Sequence, residues 1–155
     1  MKTKVLLGLA AVFLVIQAFR PMKNLSAAVP FTGKDDITAL HPPSPEVSQI
    51  LATACYDCHS NHTRYPWYAQ VQPTGWWLAR HINDGKGALN FSEFGSYTAH
   101  RQAKKLQAIS DEVTEHSMPL KSYTWIHRDA IFSEPQIKML ADWADSLAEK
   151  IEPAP

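Results

Sequence analysis

The chain has 155 residues, enough for one domain and a short appendage. It is 45% apolar and 19% charged, the make-up of a globular protein. Fifteen Lys and Arg balance fifteen Asp and Glu, so nothing in the charge argues for nucleic acid or an acidic substrate as a partner.

The N-terminus opens with an uncharged run from Val5 to Phe19, preceded by Lys2 and Lys4 and closed by Arg20, Pro21 and Lys23. As a helix this run is about 22 Å long, short of the roughly 30 Å hydrocarbon core of a bilayer. Two readings fit it. A cleaved secretory signal would be cut at Ser26-Ala27-Ala28. An uncleaved anchor would let Arg20 and Lys23 snorkel at the far interface. The charges lying between the run and the small residues favour the anchor. Both readings export the rest of the chain to the outside of the cytoplasm. Residues 1–23 are therefore assigned to a signal-anchor or signal peptide, 24–43 to a polar, Pro-containing linker, and 44–155 to the domain.

The domain reads as all-helical. Ser44 caps a helix whose Pro45 and Glu46 suit the first turn, with Val47, Ile50, Leu51, Ala54 and Cys58 on one face. That helix is expected to run directly into the cysteines. A short helix over Thr74–Asn83 is expected to break at Asp84-Gly85-Lys86-Gly87. A long one follows from Ser96 to His116, with Ala99, Ala103, Leu106, Ile109 and Val113 inward, and Pro119 leaves Met118 in a turn. Ser133 and Gln136 form a capping box for the last helix, striped by Ile137, Leu140, Ala141, Ala144, Leu147 and Ile151. No stretch alternates as a strand.

The most specific signal is Cys55-Tyr56-Asp57-Cys58-His59. Two thiols about one helical turn apart match two vinyl groups on neighbouring pyrroles of a porphyrin. A histidine directly after them can ligate its iron. A CxxC has three other uses. A thioredoxin-type redox pair wants a βαβ setting; structural zinc wants four ligands; a simple Cys55–Cys58 disulfide suits an oxidising compartment. This chain has no βαβ pattern and no second cysteine pair, and the motif's haem reading is preferred. One haem c, held through two thioethers, is the expected cofactor.

At these residues the chain resembles the bacterial haem-binding domain proteins with a c-type CxxCH motif. The likeness covers roughly residues 44–151. It rests on CYDCHSN, Thr63, YPWY at Tyr65–Tyr68, Trp76-Trp77, His81-Ile82, LNFSEF at Leu89–Phe94, Met118-Pro119-Leu120, Tyr123, His127 and Trp143. The resemblance implies covalent haem and electron transfer. It specifies neither a partner nor a sixth ligand. The order of haem helix, Met-Pro turn and C-terminal helix is similar to the class I cytochrome c arrangement.

With His59 as one axial ligand, Met118 is the first choice for the other, since a thioether favours ferrous iron. His116 and His127 flank its turn and are rivals. His81 could ligate or bind a propionate, and His62 lies too close to His59 to reach the opposite face. Tyr65, Trp67, Tyr68, Trp76 and Trp77 are expected to shield the haem from water. Arg80 and Arg64 are expected propionate partners.

The expected function is a periplasmic monohaem electron carrier, held at the bacterial inner membrane by its N-terminal helix and meeting redox partner proteins. It is read as a carrier and not an enzyme. A haem gas sensor or peroxidase-like centre with a labile sixth site is the alternative, and a non-haem CxxC/His metal module is a third reading.

Overall fold

The computed structural model of the protein describes residues 1–26 and 33–152. Among these there is no strand, only an isolated antiparallel bridge between Leu25 and His62. The all-α expectation holds. The first helix, α1 (Lys2–Ile16), is apolar around its circumference and buries no residue. Beyond Ile16 the chain tightens into turns, with the Gln17, Ala18 and Phe19 amides donating three residues back, and the Gln17 side chain donates to the Phe13 carbonyl at 2.9 Å and to the Gln72 carbonyl at 3.2 Å. No described helix is long and apolar enough to cross a membrane, which removes the support for a transmembrane span. Ala27 and Ala28 of the suggested cleavage site, and Pro30, lie outside the described residues.

Three helices make the core, each starting where its cap allows. In α3 (Pro45–Ala54) the Val47 amide donates to Ser44 Oγ at 3.3 Å, and Val47, Ile50 and Leu51 are buried. In α6 (Ala99–Thr114) Thr98 Oγ1 accepts from the Arg101 amide at 3.3 Å. Ala103, Leu106, Ile109 and Val113 turn inward as expected, whereas Ala99, in the first turn, is exposed. In α8 (Glu134–Ile151) Gln136 Oε1 accepts from both the Ser133 amide and its hydroxyl at 2.9 Å. α6 and α8 make the most extensive helix pair, and α3 packs across α8. Ala103, Ala141 and Ala144 keep that seam thin, while Leu106 and Leu140 fill it. A fully buried leucine contributes about 1.5–3 kcal/mol.

The end of the stretch expected to be a linker, from Asp36, contributes to this core. Asp36 caps a one-turn helix, α2 (Ile37–Leu40), by accepting from the Thr38 amide at 2.9 Å, and Ile37 is 0% exposed. The buried Asp36 Oδ1 also accepts the Tyr56 hydroxyl at 2.7 Å. One helical turn is too short to leave a period in the sequence.

Between the core helices lie α4 (Tyr56–His59) and α5 (Thr74–Ala88), packed on one another. α5 does not break at its glycines. Gly85 is where it touches α4: a Cβ there would sit 2.9 Å from the Cys58 carbonyl oxygen and 3.3 Å from Cys58 Cβ. The glycine serves a close approach, not a turn. A 3₁₀ stretch over Phe91–Ser96 then buries Phe91 and Phe94.

Candidate functional site

The helix expected to carry both cysteines is broken between them. Cys55 is the C-cap of α3, and α4 begins afresh at Tyr56, with the Cys58 and His59 amides donating to the Cys55 carbonyl at 3.2 and 2.9 Å. The motif thus keeps one tight turn without belonging to one continuous helix. Both thiols are free. Burial, then the neighbouring Cys58, pushes the Cys55 thiol up to about 12; burial, then the Asp57 charge, pushes Cys58 up to about 11.

His59 is held by α5 and the turn that follows it. Its Nδ1 lies 3.1 Å from the Leu89 carbonyl oxygen. A carbonyl can only accept, so Nδ1 carries the proton and Nε2 keeps its lone pair. Burial lowers the pKa of the ring against the pull of the Leu89 and Gly85 carbonyls, so the neutral, ligating form is favoured. A backbone acceptor behind a metal-binding imidazole is the usual device for fixing its tautomer.

Two cavities meet at this imidazole. One, of about 180 Å³, is bounded by Cys55, His59, Leu89, Phe91, Ile109 and Val113 among others, and is mostly apolar. The other, of about 340 Å³, is bounded by Cys58, His59, His81, Gly85, Leu120 and Tyr123 among others. His59, Ala88 and Met118 line both. The structure therefore brings together Cys55, Cys58, His59 and Met118, residues separated by up to about sixty positions.

The remaining expected residues divide. His81 lines the second cavity, with Nδ1 donating to the Trp77 carbonyl at 2.9 Å and Nε2 left available. His116 points elsewhere, 3.7 Å from Glu134. His127 stacks on Tyr123 at 4.2 Å and meets the Tyr68 hydroxyl at 2.8 Å, outside both linings. His62 is bridged to Leu25. The tryptophans do not form the shield assigned to them: Trp67 is 81% exposed, Trp76 40% and Trp77 43%, and none lines either cavity. The apolar wall comes instead from Ala88, Leu89, Phe91, Ile109 and Val113. Arg80 pairs with Asp84 at 3.6 Å on the open face of α5. Arg64 is committed to Asp57 at 3.1 Å and donates to the Ala52 carbonyl at 2.8 Å.

Sequence reasoning did not find Leu89, whose contribution is a main-chain oxygen, nor Gly85, whose contribution is a missing side chain. The LNFSEF string beginning at Leu89 was the one available signal.

These features disfavour zinc. Among the described residues, no group of three or more His, Cys, Asp or Glu side chains is placed to hold a metal ion. A family model described as a haem-binding domain matches residues 11–146. No curated protein and no solved structure matches the chain. With a match over most of its length and a neutral imidazole set beside two free thiols in an apolar cleft, the chain belongs to the haem-binding domain family.

Proposed function

We propose that this protein is a monohaem c-type cytochrome that relays single electrons in the periplasm, held at the bacterial inner membrane by α1. The residues present fit the cofactor. Cys55 and Cys58 would form the two thioethers, a neutral bond type that suits buried thiols disfavouring charge. His59 Nε2 and the Met118 thioether would be the axial ligands, because both residues line the same two cavities. Leu89, Phe91, Ile109 and Val113 would exclude water from the ring. When bound, the haem supplies a one-electron couple, which a thioether ligand and an apolar wall both shift towards the ferrous state.

The single observation that carries this reading is the His59 tautomer. The Leu89 carbonyl holds the proton on Nδ1 and leaves Nε2 as the free donor. The membrane part of the reading is supported by α1, an apolar helix none of whose residues is buried.

Haem that stays with the polypeptide on a denaturing gel tests the covalent attachment. A near-infrared thioether–iron band in the oxidised protein, lost in Met118→Ala, tests the sixth ligand. His81 gives a second ligation scheme, since its Nε2 is available at the same cavity. Loss of the native spectrum in His81→Ala with Met118→Ala silent would select it. Immediate carbon monoxide binding by the reduced wild type would overturn the carrier in favour of a sensor or peroxidase-like centre.

A further inference from the structure

Four exposed tryptophans, Trp67, Trp76, Trp77 and Trp125, line neither cavity. The first three belong to the stretch of chain that meets the end of α1, and Trp125 does not. Gln17 and Gln72 bond in both directions: Gln17 Nε2 donates to the Gln72 carbonyl at 3.2 Å, and the Gln72 amide donates to Gln17 Oε1 at 2.8 Å. Trp76 Nε1 donates to the Phe19 carbonyl at 2.6 Å, and Arg20 donates to Gln70 Oε1 at 3.3 Å. Trp76 thus touches the point where the apolar helix leaves the domain, and Trp67, Val71 and Trp77, all exposed, are its neighbours along the same stretch of chain.

The charge on this edge has one dominant sign. Residues 17–26 and 67–83 contain no Asp or Glu, whereas Arg20, Lys23 and Arg80 fall within them; Lys2 and Lys4 lie at the far end of α1. Asp84, the residue that follows the second segment, pairs with Arg80 at 3.6 Å. The carboxylates of this net-neutral chain gather elsewhere, with Asp111, Glu115, Glu134, Asp142 and Asp145 lining the groove between α6 and α8.

We propose that the edge bearing Trp67, Val71, Trp76 and Trp77 is a membrane-seating surface that lies in the headgroup layer of an anionic bilayer beside α1. The inference rests on the reading of α1 as the lipid-facing element, and adds a second, independent contact with the same bilayer. Tryptophan concentrates at membrane interfaces because its ring is apolar and its N–H polar. Lysine and arginine at that depth meet anionic headgroups. A helix of 15 residues is about 22 Å long and falls short of a full hydrocarbon core. An interfacial edge at its base sets the domain down on the surface and leaves the whole helix available to the lipid.

The test places a photoactivatable benzophenone amino acid at Val12 in α1, at Val71 on the edge, and at Lys138 on α8 in the full haem-loaded chain. Gln70 serves as a second edge position, and the Soret band reports that each variant folds. The proteins are reconstituted in phosphatidylcholine vesicles containing phosphatidylglycerol, irradiated, and assayed for lipid adducts by mass spectrometry. Adducts at Val12 and the edge but not at Lys138 are expected. A Trp67→Ser/Trp77→Ser background should then lower the edge yield several-fold. Adducts at Val12 alone overturn the seating surface and leave the α1 reading intact. Adducts at the edge alone support the surface and remove α1 from the bilayer. No adducts at either position overturn both readings. Adducts at Lys138 as frequent as at Val71 reveal indiscriminate adsorption and overturn the surface.

Discussion

A methyl group at position 85 has nowhere to go. Gly85→Ala would put carbon 2.9 Å from the carbonyl oxygen of Cys58, and that oxygen belongs to the turn bearing His59. Overpacking of this kind costs about 1–3 kcal/mol. The expected result is a lower urea midpoint and a reduced yield of haem-loaded protein. Tyr56 and Tyr123 report on a different property. Burial, then the bond to Asp36, drives Tyr56 above its ordinary value of 10.0. Burial, then the Asp57 charge, does the same for Tyr123, whose hydroxyl donates to the Thr53 carbonyl at 3.1 Å and to Asp57 at 3.2 Å. Both phenols keep their protons in the folded state where an unfolded chain would release them. Their contribution is therefore complete below about pH 10 and is lost as the pH rises past it. Alkaline titration followed by tyrosinate absorbance should show these two ionising only with cooperative unfolding, and Tyr56→Phe should remove one of them from that step. At this scale Cys55, Cys58 and His59 stood out as a candidate haem site, because a local motif needs no tertiary information. The sequence could not reveal that Leu89 holds the imidazole, since every residue has a carbonyl. It also misdirected the tryptophans, since a cluster along the chain does not specify which way the rings face.

Among the elements, the three long helices were legible for two reasons acting together. Each has a polar cap at its start and an apolar face repeating over several turns, as Ser133 with Gln136 and the Leu140–Leu147 stripe do for α8. Gln136→Ala removes the acceptor of the Ser133 amide and should cost about 0.5–2 kcal/mol. Leu140→Ala opens a cavity in the seam between α6 and α8 and should cost about 2–5 kcal/mol. Chemical denaturation of the haem-loaded protein ranks the two, and equal losses would mean that the seam is less tightly packed than described. What escaped were the short elements and the extended one. A single turn such as α2 is stabilised by Asp36 and by burial of Ile37, neither of which has a periodic signature. α5 was truncated in the sequence reading because glycine lowers helix propensity by about 1 kcal/mol. The packing against α4 overrides that loss.

For the molecule as a whole, the boundary between appendage and domain lies earlier than residue 44. Asn24 is built into the domain through both its side chain and its main chain. Its amide donates to the Tyr65 hydroxyl at 2.6 Å, and its Nδ2 donates to the Ser60 carbonyl at 2.8 Å and to Thr63 Oγ1 at 2.9 Å. Lys86 donates to its Oδ1 at 2.8 Å, and the Thr63 amide to its carbonyl at 3.0 Å. At about 1 kcal/mol for each such bond, a chain starting after residue 26 should melt well below the full-length protein. A chain lacking only residues 1–16 keeps these bonds and should melt close to it. Equal melting temperatures for the two truncations would show that this clamp adds nothing. A polar stretch with prolines reads as a tether until the partners of its side chains are known, and those partners lie some forty positions further on.

The same clamp determines where a mechanical load would go. Tension applied along α1 meets the bonds of Gln17, Phe19 and Arg20 to Gln72, Trp76 and Gln70 first, and then passes through Asn24 to residues 60–65, the loop that follows His59. Pulling on the N-terminus is thus pulling on the rim of the haem cleft. Forced unfolding from that end should disturb the haem's colour first and melt the helical body afterwards.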